Sequence, residues 1–217
     1  MISHFEMLSD WQWYRRRGGS DRKSTEVFFR HWIPMLAPAT PHIAEEFWSK
    51  VGNQDMVSEH IISNISELED DIIHIAKEQY LRDLIDSSRN VKGLASRHSE
   101  VAISKCIIQT SPKWKNDIAI EALSLSVENF DFKRNGMNHV KSLEVFGVEK
   151  LRGEVIQTWQ SFTAGNKKTR GKIHTWSEAE KSLINLRFNE SEFINKNADF
   201  IAYSLSIDNV FSYDVGD

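Results

Sequence analysis

The sequence is poor in the residues that build small stapled or metal-held folds. It holds one cysteine, Cys106, in 217 residues, which excludes an internal disulfide and any zinc site made from paired cysteines. Prolines number four, and Pro34, Pro38 and Pro41 fall close together, so most of the chain is free to run in long regular elements. No apolar run reaches the roughly 18 to 20 residues of a membrane helix, and the opening Met1 to Gln12 lacks the pattern of a secretory leader. No membrane partner is expected, and a reducing cytoplasm is the expected compartment. Excess positive charge is also missing. Against 27 Lys and Arg stand 31 Asp and Glu, a formal charge of −4, so the signature of a uniformly basic nucleic-acid binder is absent.

What is present is an ordinary globular composition, 40% apolar and 11% aromatic, long enough for one large or two small domains. The positive charge is concentrated in islands. Arg15, Arg16, Arg17, Arg22 and Lys23 face only Asp21 in their stretch; Lys105, Lys113 and Lys115 have no acid between them, nor do Lys167, Lys168, Arg170 and Lys172. Such islands can form a focused path for phosphates on an acidic body.

Hydrophobic spacing makes the first part a helical bundle. Phe5, Leu8 and Trp11, with Trp13 and Tyr14, mark a helix ending at Gly18 and Gly19. Ser24 is placed to cap a second helix through Val27, Phe28, Trp32, Met35 and Leu36. The prolines form a corner, and Thr40-Pro41 opens a third helix through Ile43, Ala44, Phe47 and Trp48, closed by Gly52. A longer helical periodicity runs from Ile65 to Ile85. From about residue 101 the pattern changes. Ala102 to Ile108 reads as a strand, Pro112 leads into a helix through Trp114, Ile118, Ala122 and Leu125, and further helices fit 140–145, 149–162 and 177–188. The last of these opens with the capping-box spacing Ser177 to Glu180. Alternation over Phe200 to Ile207 predicts a second strand. The expected class is α+β, predominantly α: a helical bundle over 1–98 followed by a small α/β domain over 99–217.

Five constellations need weighing. His42, Glu45 and Glu46 share a helix face, but a zincin pair needs two histidines, so an N-terminal helix turn with acids near its dipole is the better reading. Cys106 lies in an apolar strand without a neighbouring histidine, which is packing rather than a nucleophile. Gly165 to Lys172 has the composition of a phosphate loop without its spacing, which leaves either a basic loop on nucleic-acid phosphates or a merely solvated one. Lys113-Trp114-Lys115 offers a ring between two phosphate contacts, or a core tryptophan between two surface lysines. Tyr14-Arg15-Arg16-Arg17-Gly18-Gly19 is the strongest local signal. Adjacent arginines at a helix end span most of its circumference, so at least one meets solvent or a polyanion; the alternative is capping of the terminal carbonyls.

Trp13 to Gly19, followed by Trp32-Ile33-Pro34-Met35-Leu36-Ala37-Pro38-Ala39-Thr40-Pro41-His42-Ile43-Ala44-Glu45-Glu46-Phe47-Trp48, resembles the anticodon-binding helical bundle of class I aminoacyl-tRNA synthetases. The L-A-P-x-x-P-H-x-x-E-E-x-W pattern is shared by the enzymes for valine, isoleucine, leucine and methionine. The arginine–glycine element, and the later strand with Ser111-Pro112-Lys113-Trp114-Lys115, resemble the C-terminal region of the archaeal and eukaryotic type of leucyl-tRNA synthetase. The resemblance implies a bundle packed against the tRNA and a small C-terminal domain on its elbow and long variable arm. On that basis the expected tRNA-binding residues are Arg15, Arg16, Arg17, Arg22, Lys23, Lys113, Lys115, Lys167, Lys168, Arg170 and Lys172.

Motifs of the H-I-G-H and K-M-S-K-S type, which mark the family's nucleotide-binding domain, do not occur. The resemblance therefore implies no catalytic residue, no metal and no cofactor in this chain, ATP and magnesium belonging to a catalytic domain elsewhere. The expected partners are tRNA, of the leucine type with a long variable arm, and that catalytic domain. A protein-docking or scaffold domain without independent RNA binding is the alternative, which the net negative charge favours.

Overall fold

The computed structural model describes residues 2–60, 71–98, 102–124, 137–163 and 175–214. By packing, the chain forms two compact units, 1–69 and 70–217.

The first unit contains α1 (Ile2–Arg16), α2 (Arg22–Leu36), α3 (Pro41–Lys50) and a short 3₁₀ turn at Val57–Glu59. Its centre is Ile33, Ala44, Trp48 and Val57, with Phe29, Trp32, Leu36 and Ala37 packed around them. Trp48 is buried and donates its indole N–H to Asp55 Oδ1 at 3.0 Å, which satisfies the ring's polar edge. Helix ends follow from backbone chemistry. Gly18 (φ 88°) and Gly52 (φ 97°) are left-handed, and each follows a helix whose last carbonyls are taken by paired turn bonds. Gly18 N–H reaches Arg15 O and Gly19 N–H reaches Tyr14 O; Gly52 N–H reaches Ser49 O and Asn53 N–H reaches Trp48 O.

Two local expectations are corrected here. Asp21, not Ser24, is the cap of α2: its carboxylate accepts the Ser24 N–H at 2.7 Å, and this pulls its pKa below the usual carboxylate range. Pro34 does not belong to the corner but lies buried in the last turns of α2. It is tolerated because only one intrahelical bond is forfeited so near the end, and Leu36 O closes the turn by accepting from Ala39 and Thr40.

The second unit contains α4 (Ile72–Ser96), β1 (Lys105–Thr110), α5 (Lys113–Ser124), α6 (Met137–Ser142), α7 (Arg152–Thr163), α8 (Glu178–Asn185), α9 (Glu190–Lys196), α10 (Ala198–Leu205) and β2 (Asn209–Asp214), with short 3₁₀ turns between α6 and α7. Helix α4, which the sequence reading groups with the bundle, packs on α8 and α10. The two strands are parallel, with Lys105 opposite Asn209 and Thr110 opposite Asp214. Helices α9 and α10 pack on β2. One core joins Ile118, Val140, Val155 and Trp159, and Leu81, Ile85, Leu183, Ile194, Ile201, Leu205 and Val210 are also buried. The capping box at Ser177 and Glu180 is formed.

The second strand lies later than the alternation predicts. Residues 200–207 fall largely in α10, and β2 begins at Asn209. The buried residues of the run are Ile201 and Leu205, four apart, a spacing that alternation and a helix face share. Two tertiary features stop the helix: Ser206 turns left-handed (φ 51°), and Lys92 donates to the carbonyls of Leu205 and Ser206.

Candidate nucleic-acid interface

In the first unit the arginine run is held by a built turn. Because α1 ends in the paired glycine bonds, the chain reverses directly into α2, and the Tyr14 hydroxyl accepts the Asp21 N–H at 3.3 Å. Gly19 lies against the Tyr14 ring so closely that an added Cβ would strike it. Below the turn Trp11 stacks on Phe28 with ring centres 4.5 Å apart, and on Tyr14 at 5.3 Å. On this base Arg15 donates to Gly19 O at 2.9 Å, and the Arg16 guanidinium lies over the buried Trp13 ring at 5.3 Å. The run divides between the turn and solvent. Arg15 caps a carbonyl, and it and Arg16 remain exposed, with Arg17 half-buried. Arg22 and Lys23 follow at the start of α2, both exposed; Arg22 is paired with Glu26 at 2.7 Å, which offsets part of its field.

The second unit brings Lys113 and Lys115 together on the first turn of α5, at a cavity of about 610 Å³ that Arg187 also lines. Trp114 between them packs on the core of this unit, and Lys115 lies over its ring at 5.5 Å. That tryptophan is half-buried, its ring packed against the edge of the core. The cavity interior is not a phosphate site. Asp117, Glu190 and Asp214 line it too, and Glu190 takes the backbone N–H of Ser111, so the lining sets three carboxyls against its cations. Burial, with the Asp214 charge beside it, pushes the Glu190 carboxyl up, while the Ser111 bond partly offsets this. Lys167, Lys168, Arg170 and Lys172 lie outside the described residues.

The metal and nucleophile readings find no support. Glu45 accepts the Val57 N–H at 3.0 Å, Glu46 pairs with Lys50 at 2.5 Å, and His42 is exposed. No group able to hold a metal ion occurs among the described residues. Cys106 is half-buried, and burial pushes its thiol up, opposite to an activated nucleophile. No described helix is long and apolar enough to cross a membrane.

Comparison with known proteins bears on the same stretch that carries the arginine turn. Residues 4–109 match the anticodon-binding domain of tRNA ligases. That stretch is similar to the family's domain over just under half of the chain. Similar whole proteins agree on the amino acid. The leucine–tRNA ligase of Methanococcus maripaludis is 29% identical over 71% of this chain and 17% of its own length. That of Archaeoglobus fulgidus is 29% identical over 87% of this chain and 18% of its own length. That of Methanosarcina acetivorans is 30% identical over 58% and 12%. The chain thus spans less than a fifth of the length of these curated relatives.

Sequence reasoning about the two units missed several residues. Tyr14 reads as one more core aromatic, yet it supports both Gly19 and Asp21. Arg187 carries no sequence signal of its own. It stands at φ 50°, in the left-handed position after α8 where glycine is usual, and pairs with Asp117 at 3.4 Å. Glu190 and Asp214 come from different elements and meet because α9 packs on β2.

Proposed function

We propose that the chain is a non-catalytic tRNA-binding region of a leucyl-tRNA synthetase. Its task is to position a leucine tRNA, through backbone and shape contacts, for aminoacylation by a catalytic domain that lies outside these residues. The observation that carries this reading is the arginine turn: guanidinium groups held on a rigid glycine-closed helix end, inside a region matching an anticodon-binding domain. Leucine is supported by the relatives' shared name. Arginine forks neutralise phosphates and release counterions, and folded RNA is selected by the spacing of its phosphates rather than by base identity. Lys113 and Lys115 serve as phosphate contacts from the second unit. ATP, magnesium and bond formation belong to the catalytic domain, and the setting is the cytoplasm.

A second reading, a docking domain without independent RNA binding, is favoured by a specific feature. Ile43, Phe47 and Val51 recur every four residues along α3 and its end, and are 48%, 37% and 47% exposed, an apolar stripe suited to a protein partner. Titration separates the two. The purified chain is mixed with a long-variable-arm tRNA, a short-armed tRNA and an unstructured RNA of equal length, at low and physiological salt. Preference for the long-armed tRNA is the expected result; equal weak binding, or none, would favour docking.

A further inference from the structure

Among the described residues the two-stranded sheet is covered on one side only. Parallel strands ordinarily have both faces buried, yet here α9 and α10 pack on one side and no described element packs on the other. Parallel pairing puts Lys105 beside Asn209, Ile107 beside Phe211, and Gln109 beside Tyr213, and these are the outward residues of both strands. Ile107, Phe211 and Tyr213 are 58%, 49% and 49% exposed. The Lys105 ammonium stands 4.7 Å from the centre of the Phe211 ring. Two aromatic rings, two amides, one aliphatic and one lysine make up the face; in a chain with 31 acids, none of these six is a carboxylate.

We propose that this open face binds unpaired nucleotides of RNA, Phe211 and Tyr213 each stacking one base. The proposal rests on the RNA-binding reading above and adds to it a surface, and a chemistry, that phosphate contacts do not supply. Rings on an exposed sheet face stack bases of any identity. Gln109 and Asn209 carry the donor and acceptor pairs that match base edges, and Lys105, at the Asn209 end of the face beside Phe211, supplies a phosphate contact next to the Phe211 base. Spacing selects the unpaired form. Residues two apart on a strand are separated by about 7 Å, roughly twice the rise per nucleotide of a stacked strand, so only an extended, unstacked segment lays successive bases on both rings. The platform is rigid before it binds. Asn195 pairs with the backbone of Ser212 through two hydrogen bonds, 2.9 and 3.0 Å, and so holds β2 between the two rings.

The test uses the full chain and two probes, a long-variable-arm tRNA and an unstructured RNA octamer, each read by fluorescence anisotropy. Replacing both Phe211→Ala and Tyr213→Ala is expected to weaken octamer binding about tenfold or more and leave the salt slope unchanged. Phe211→Tyr with Tyr213→Phe, which keeps both rings, is expected to restore it. Thermal unfolding shows whether the alanine variant remains folded. If it does not, wild-type chain is photocrosslinked to an octamer carrying 5-iodouridine, with adducts expected in the peptide containing residues 209–214. Unchanged affinity in a folded alanine variant, or adducts only elsewhere, overturns the platform while leaving the phosphate-contact reading intact. Loss of binding to a separately supplied synthetase catalytic fragment, with RNA binding unchanged, would make the face a protein interface and overturns it too. Failure of the wild-type chain to bind either RNA removes both readings.

Discussion

Replacing Arg15, Arg16 and Arg17 together by alanine should change how tRNA affinity depends on salt more than it changes the fold. Each guanidinium resting on a phosphate contributes about 0.7 to 0.9 to the slope of log affinity against log salt. Three such contacts would flatten the slope by about 2 to 3. Between 50 and 200 mM salt, the wild type would then lose roughly 20- to 40-fold more affinity than the variant. The structure refines this. Arg15 donates to Gly19 O at 2.9 Å and keeps its remaining N–H groups for a phosphate, so its loss also loosens the turn. The Arg16 guanidinium lies over Trp13, which sets its direction without neutralising it. The triple lysine variant keeps the charge and loses the planar fork; it should retain most of the salt slope with weaker binding at every salt concentration. Arg22→Ala should flatten the slope by less than one residue of the run, because Glu26 offsets part of that charge at 2.7 Å. The assay is anisotropy of a labelled long-armed tRNA at four salt concentrations. A folded triple-alanine variant with the wild-type slope would refute the assignment of the turn to phosphate binding.

Two further outcomes follow from the same geometry. Gly19→Ala drives a methyl into the Tyr14 ring and should destabilise the first unit by about 1 to 3 kcal/mol, whereas Gly18→Ala, with open space around it but φ 88°, should cost about 1 to 2 kcal/mol; thermal melts that rank Gly18→Ala well above Gly19→Ala in cost would contradict the ring contact. Glu190 has its pKa raised in the folded chain by burial, so the folded form holds the proton more tightly than the unfolded form, and this group's contribution improves as pH falls through the raised value towards 4.5 and worsens above it. Glu190→Gln keeps an acceptor for the Ser111 N–H and should melt higher than wild type at pH 7.5, with the advantage shrinking by pH 5; a difference independent of pH would show that the burial cost is absent.

Local chemistry was enough for much of the molecule. Gly18 and Gly52 ended their helices, Pro41 opened α3, and Ser177 with Glu180 formed its capping box, because each rests on backbone groups within a few residues. The Arg15 to Arg17 run was legible as a cationic helix end for the same reason. Where two nearby residues could perform one local task, sequence chose less well: Asp21 rather than Ser24 caps α2, because the residue in extended backbone just before the helix can reach the free N–H groups.

What only the tertiary structure decided are the long-range pairings. Residues 200–207 alternate like a strand, but Ile201 and Leu205 bury equally well from a helix, and Lys92, more than a hundred residues away, takes the carbonyls that end it. The rows ending in Gln109 and Tyr213 meet only when β2 returns parallel to β1, and the Glu190 and Asp214 carboxyls meet because α9 packs on β2. A local pattern records which faces can be buried; it holds no record of which distant segment buries them, and that choice is made by the packing of the whole unit.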